Sequence, residues 1–402
     1  MDLEKNQIIG SIEELIRWLN VNGYSGWDIY DGLNSPITKK VNNRYIRILL
    51  LQMNKYSPIN CRPILKIEKG IDLKGTALIA QAYAKYYQIT AENWCLEKLA
   101  YLIEYINDNS LYQDYDYHCW ASHYYPYLSS DGTELNSGSP DIIGTSQAII
   151  ALSETYSITK DQSIKKILNS ASNGLVHLFY QDNDNLPFFR YNLQESSKKA
   201  IIINASAQAV EALSHYLKVT DDNCIRAVCD NAIQTIIKLQ NNDGSWRYST
   251  DLFGKAQEIQ LDFHQGYILD GMHAYLHLSG SSADLVSSIH SGSEYYISKQ
   301  FRKGKMSYYR YPLPFPIDIH NQAQGVITFS KLLDLDRKYI QMAKEILLWT
   351  INNMQDKSGY FYYQKWPCFT NRIPYIRWGQ AWMLLALSTY LSTQSTRTYE
   401  LQ

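Results

Sequence analysis

Apolar positions along this chain gather into six segments, each a short polar or aromatic lead-in followed by a run rich in Ala, Leu and Ile. They read IDLKGTALIAQAY from Ile71, DIIGTSQAIIAL from Asp141, IIINASAQAVEAL from Ile201, LDFHQGYILDGM from Leu261, IDIHNQAQGVITF from Ile317 and IRWGQAWMLLAL from Ile376. Aligned on the fourth residue they stand at Lys74, Gly144, Asn204, His264, His320 and Gly379, in steps of 70, 60, 60, 56 and 59. A period of this size marks a repeat architecture whose units bury their apolar faces against their neighbours. The repeated runs are apolar on more than one side, as buried helices are. Between them the pattern predicts further helices at about 43–55, 92–107, 162–179, 222–240, 284–300 and 338–354. In 222–240, for example, Ile225, Val228, Ile233, Ile236 and Ile237 keep mostly three-and-four spacing. One more helix, about 7–20, precedes them, with Ile12, Leu15, Ile16 and Leu19 on its apolar side.

Six two-helix units that each need two neighbours can close on themselves, which removes the capping ends an open solenoid requires. The expectation is therefore all-α: an (α/α)6 toroid with the repeated helices inside, the intervening six outside, and the helix at 7–20 as an extra. One toroid domain would span 1–395, with 396–402 as a frayed tail. The outer-to-inner connections are long, at about 108–140, 180–200, 241–261, 301–317 and 355–377, and the reverse ones are short. All the long loops, and the N-termini of the inner helices, then share one rim. These loops carry WASHYYPY from Trp120, LPFFRY from Leu186, DGSWRY from Asp243, GKMSYYRYP from Gly304 and GYFYYQ from Gly359. A turn followed by alternating aromatics predicts short hairpins on that rim.

Composition narrows the function classes. A length of 402 residues alone would allow two or three domains, but the repeat favours one. A formal net charge of -1 gives no field for nucleic acid or an anionic membrane. Tyr is over-used, at 34 residues, with nine Trp beside it, and rings with a polar edge suit sugar faces as well as packing. The N-terminus has no apolar signal core, and no run of 18 apolar residues predicts a transmembrane helix. Six cysteines without a CxxC spacing read as reduced thiols of a cytoplasmic protein.

Candidate chemistry concentrates at the inner-helix starts. Asp262 and His264 in one unit, and Asp318 and His320 in the next, hold equivalent places. An aspartate there can simply cap the helix. A histidine there is disfavoured in its protonated form and can accept a proton. Tyr267 could move a proton beside them. Asn204 and Arg377 could neutralise a carboxylate ligand, and Trp378, Trp246, Tyr363 and His123 could line a sugar-binding wall. The loop GYSGWDIYDGLNSP adds Trp27, Asp28 and Asp31. His177, His215, His273, His277 and His290 are assigned to packing or surface. The two Asp-x-His units could together hold a cation, but no HExxH signature supports that and no metal is expected; no organic cofactor is expected either, and neither a phosphate-binding glycine loop nor a GxSxG elbow is present.

LQNNDGSWRY (239–248) resembles the QW-type repeat of terpene cyclases, and MQDKSGYFYY (354–363) is a looser copy. The resemblance implies the α/α-toroid class, but the chain lacks the DxDD signature of squalene-type cyclases and any identifiable zinc triad of protein prenyltransferases. The whole pattern is also similar to the (α/α)6 barrels of carbohydrate-active enzymes (glycosidases, uronate lyases, sugar epimerases) and to toroid proteins of bacterial polysaccharide-synthesis loci. That resemblance implies an oligo- or polysaccharide, acidic in the favoured reading, bound in an aromatic-walled rim cleft. Four activities stay open: proton abstraction by a uronate lyase or C5-epimerase, with His264, His320 or a tyrosine as base; hydrolysis by Asp262 and Asp318, with Asp28 or Asp31 as substitutes; a terpenoid cyclase or prenyl-transferring toroid; and a non-catalytic glycan-binding toroid.

Overall fold

The repeated segments form the inner wall of a closed ring. The computed structural model describes residues 2–128, 134–280 and 282–400. The inner helices are α3 (Leu73–Thr90), α5 (Ile142–Thr159), α7 (Ile203–Leu217), α9 (His264–Ser279), α11 (Ile319–Lys331) and α13 (Trp382–Glu400). Each packs on the next, and α13 packs back on α3. Outside them run α4 (Asn93–Asp108), α6 (Gln162–Phe179), α8 (Asn223–Lys238), α10 (Ala283–Gln300) and α12 (Lys338–Met354), within two residues of the spans the pattern predicts. Every residue of α5 from Ile142 to Ser153 is buried, as an inner helix surrounded by others must be. The expected tail is helical through Glu400, while 401 and 402 lie outside the described residues.

The sixth outer helix corrects the expectation. It is α1 (Asp2–Val21), not the segment at 43–55. α1 packs on α12 and α13, where Gln7 Nε2 donates to Asn352 Oδ1 at 2.7 Å and Lys344 pairs with Glu4 at 2.5 Å. Ile8, Ile12, Leu15, Ile16 and Leu19 are buried along it. The helix at 43–55 is α2 (Arg44–Tyr56), which lies beside the turn Asp31–Leu33 and leaves Tyr45, Ile46, Leu49, Met53 and Tyr56 exposed. Both segments have helical apolar spacing, so periodicity alone does not say which one closes the ring.

The QW-like turns show how outer helices are joined. Gln240 Nε2 donates to Gly244 O at 2.9 Å and to Ser288 O of α10 at 3.0 Å. Gln355 Nε2 repeats this on Gly359 O at 3.0 Å and on Ser11 O of α1 at 3.1 Å. Thus α1 stands to α12 as α10 stands to α8. Both turns need glycine: φ is +88° at Gly244 and +100° at Gly359, and a Cβ at Gly359 would stand 2.3 Å from Glu14 O.

Two-stranded hairpins (127–128 with 134–135, 180–181 with 188–189, 301–302 with 306–307) and two three-stranded sheets (201–202, 249–250, 256–258; 317–318, 364–365, 370–371) decorate the rim at the inner-helix N-termini. At the ring's centre the core turns polar. Gln81 Nε2 donates to Gln147 Oε1 at 2.9 Å and Gln147 Nε2 to Gln208 Oε1 at 3.3 Å, linking α3, α5 and α7. Among the described residues no helix is long and apolar enough to cross a membrane, and the six cysteines are free thiols.

Candidate active site

The inner helices need caps for their first N–H groups, and aspartates supply four of them. Asp72 accepts from Gly75 N at 2.9 Å, Asp141 from Gly144 N at 2.7 Å, Asp262 from His264 N at 3.1 Å and Asp318 from His320 N at 2.9 Å. Capping therefore delivers four carboxylates to one end of the ring. A cavity of about 560 Å³ opens there. Of the residues singled out in the sequence it brings together Asn204, Asp262, His264, Tyr267, Asp318, His320, Tyr363, Arg377, Trp378 and His123.

The two Asp-x-His units meet this cavity differently. Asp262 Oδ1 turns to its own histidine and holds His264 Nδ1 at 2.5 Å, while Oδ2 accepts from Gln260 Nε2 at 2.7 Å. Burial raises the Asp262 carboxyl, but His264 outweighs it and keeps the group below its ordinary value. His264 Nε2 has no hydrogen bond among the described residues, and His264 lines the cavity. Asp318 instead accepts from Gln364 Nε2 at 2.7 Å and Trp378 Nε1 at 3.1 Å. The register that sets Asp318 opposite Gln364 in the three-stranded sheet makes the first contact possible. Burial nevertheless pushes Asp318 up to about 6, against those donors.

His320 is a packed group. Its ring stacks on Phe263 at 4.3 Å and on Trp382 at 4.9 Å, and Nε2 lies 2.5 Å from Tyr267 Oη. Nδ1 is buried without a partner among the described residues. Burial, then Lys74, lower its pKa far below the usual value, so it is neutral. Phe263 stacks on His264 as well, at 4.2 Å, which spaces the two imidazoles apart.

Arg377 enters from a π-helical turn, Ile376–Ala381, that precedes α13. Its Nε and Nη2 each hold an Asp28 oxygen at 2.8 Å, and Asp72 Oδ2 lies 3.5 Å away. Its charge is therefore already matched. Burial acts to raise the Asp28 carboxyl, but Arg377 holds it well below the ordinary range, and burial lifts Asp72 to about 7. The neighbouring Lys74 has its Nζ 5.2 Å from the Trp382 ring centroid and no hydrogen bond among the described residues. Burial and then Arg377 press it down to about 7. His123, stacked on Tyr127 at 4.8 Å, is pressed to about 3 by burial and Arg377.

Four expected site residues lie behind the wall. Trp246 is fully buried, with Nε1 donating to Ile236 O at 2.9 Å. It is a packing residue of the QW-like turn, and Trp246→Ala would cost about 3–5 kcal/mol of stability. Trp27 donates to Ile67 O at 3.1 Å and accepts from Ile376 N through its carbonyl at 3.1 Å. Asp28 is the buried counter-ion of Arg377. Asp31 is bound by Arg62 Nε at 2.8 Å and Asn54 Nδ2 at 2.9 Å. Each has its polar atoms satisfied by the protein.

Other lining residues escaped the sequence reading. Asp141 stands first rather than second in its aligned unit, yet it caps α5 as Asp72 caps α3. Lys74 occupies the repeat position of His264 and His320, a signal that was in register. Arg310, with Nε 3.7 Å from Asp262 Oδ2, comes from an irregular segment, and Lys55, donating to Tyr30 Oη at 3.2 Å, from the last turn of α2, which stands outside the repeat.

No family model and no curated protein matches the sequence. Solved structures match in fold. The cellobiose 2-epimerase from Spirochaeta thermophila DSM 6192 superposes with a TM-score of 0.62 at 11% identity, over 82% of this chain and 87% of that one. The unsaturated glucuronyl hydrolase from Bacillus sp. GL1 gives 0.63 at 13%, over 95% of each chain. A D-mannose isomerase gives 0.60 at 13%, over 80% of this chain and 86% of that one. All are (α/α)6 toroids, and this chain shares that fold.

Proposed function

We propose that the chain is a carbohydrate-active enzyme that removes a proton from a sugar carbon next to a carboxylate, in the manner of a uronate lyase or C5-epimerase. The observation that carries it is the Asp262–His264 pair, 2.5 Å apart, on a cavity walled by Tyr, Trp and Phe. The carboxylate fixes the proton on Nδ1 and leaves the Nε2 lone pair for the substrate. The C–H electron pair moves into the substrate carboxylate as the enolate forms. Lys74, pressed down to about 7 and an ammonium below that, with no carboxylate bound to it, and the Nδ2 amide of Asn204 line the cavity in which that charge develops. Asp318, protonated up to a pH of about 6, is placed to give a proton to a leaving glycosidic oxygen. Reprotonation of the carbon, without loss of the oxygen, is the epimerase branch. The epimerase, isomerase and glucuronyl hydrolase folds named above agree with a saccharide substrate.

One observation favours hydrolysis as a second reading. Environment pushes Asp318 up and Asp262 down, the division of roles that an acid and a base need for glycoside hydrolysis. Incubation with a panel of uronate-containing oligosaccharides in deuterated water separates the two. Deuterium at the sugar carbon, or an unsaturated product, abolished by His264→Ala, is expected. New reducing ends without either signal would replace proton abstraction by hydrolysis.

A further inference from the structure

The opposite end of the ring carries a second cluster that the cavity does not use. His273 and His277 stand four apart on α9, which places both imidazoles on one helix face. Asp334 closes the short turn Leu332–Asp334 after α11. His273 Nε2 lies 2.9 Å from Asp334 Oδ1, His277 Nε2 lies 3.1 Å from Asp334 Oδ2, and the two Nε2 atoms are 3.2 Å apart. All three donor groups fall within 4.8 Å of one another.

Two N–H groups, one to each Asp334 oxygen, satisfy the triangle without an ion; with both Nε2 atoms unprotonated, two lone pairs and a carboxylate oxygen converge on one point, as the donors of a cation site do. Tetrahedral zinc, with donor bonds of about 2.0–2.2 Å, sets adjacent donors about 3.3–3.5 Å apart, close to the separations found. Imidazole and carboxylate together suit zinc-class divalent ions better than magnesium or calcium. The ligands sit where α9 presents its carbonyl end, which favours a cation. His277 and Asp334 are about half-exposed, at 47% and 42%, leaving room for water as a fourth ligand.

We propose that His273, His277 and Asp334 bind a zinc-class divalent cation that ties α9 to the turn after α11, at the end of the ring remote from the cavity. These are the two helices whose N-termini hold His264 and His320, so the ion would staple the pair that frames the candidate active site.

The test uses the full chain without a histidine tag, stripped with a chelator. Zinc is followed by titration calorimetry and cobalt by its visible absorption. One saturable equivalent, intense tetrahedral cobalt bands and a chelator-reversible rise in Tm are expected. His277→Ala and Asp334→Asn should each weaken binding at least tenfold while keeping the wild-type circular dichroism, since both side chains are half-exposed. No saturable equivalent would overturn the proposal. So would unchanged binding by both variants, which would assign the ion elsewhere, the exposed thiols of Cys224 and Cys368 included.

Discussion

Asp262-x-His264 and Asp318-x-His320 begin successive inner helices with the same three-residue spelling, yet their side chains do opposite things. In the first unit the aspartate spends an oxygen on its own histidine, and an imidazole nitrogen is left for the cavity. In the second the aspartate takes Trp378 and Gln364, and the histidine is stacked between Phe263 and Trp382 with Tyr267 on Nε2. Both aspartates accept from the N–H two residues on, but Asp318 is the extended N-cap of α11, whereas Asp262 precedes Phe263, the N-cap of α9, whose backbone is already helical. The neighbour each unit inherits differs as well. Asp318 lies in a sheet strand opposite Gln364 and faces the π-turn that carries Trp378, while Asp262 faces Gln260 and the half-exposed charge of Arg310. A repeat places residues at one rim. The loops between repeats decide which of them acts on a ligand.

The largest effect expected is on turnover. His264→Ala should lower kcat about 10²–10⁴-fold, the usual contribution of a positioned acid–base group. His320→Ala removes a stacked ring from a full core and should cost about 2–4 kcal/mol of stability, with a smaller loss of kcat in the folded fraction. Steady-state rates on a processed saccharide, together with urea unfolding of the same variants, check both. Equal losses of kcat in two well-folded variants would make the units chemically equivalent and end the contrast.

The two aspartates should also pull stability in opposite directions with pH. Asp318 is raised from the usual 3.8 to about 6, so the folded state holds its proton more tightly than the unfolded chain does. Its contribution is full below about pH 4 and is lost as pH rises through about 6, an effect on the order of 3 kcal/mol. Asp262 is lowered, so its contribution is present above the unfolded value and is lost as pH falls. Asp318→Asn, a mimic of the protonated carboxyl, should remove the decline between pH 4 and 6, whereas Asp262→Asn should remove stabilisation near neutrality. Urea midpoints measured from pH 4 to pH 8 show the crossing. Parallel curves for the two variants would mean that burial acts on both carboxyls alike.

Much of this was legible along the chain, because burial enforces a period and a period enforces a register. The inner helices, the rim hairpins and the meeting of His264 with His320 follow from that. Three things did not. The exchange of α1 for α2 in the outer ring was hidden because both have apolar faces, and contacts distant in sequence, Gln355–Ser11 and Gln7–Asn352 among them, distinguish them. Asp141 falls one residue out of register because the alignment sets Gly144 against Lys74, whereas the N–H it caps corresponds to that of Gly75. Trp246 and Trp27 were placed in the wall because an aromatic ring in a turn has the same spelling whether it points to a cavity or to a core. The fate of Arg377 depended on Asp28, 349 residues away, which no local pattern can announce.

The smallest effect tests a single donor. Trp378 Nε1 lies 3.1 Å from Asp318 Oδ1, and a donor to a carboxylate favours the charged form. Trp378→Phe keeps an aromatic ring against His320 and Phe263 but deletes that N–H. The Asp318 titration should move up by about one pH unit, which corresponds to about 1.4 kcal/mol. The acid-side limb set by Asp262 should stay where it is, because no Trp378 atom bonds to it among the described residues. A downward shift, or a shift of both limbs together, would show that the donor is not what separates Asp318 from Asp262. The contrast would then rest on burial and on the His264 ring alone.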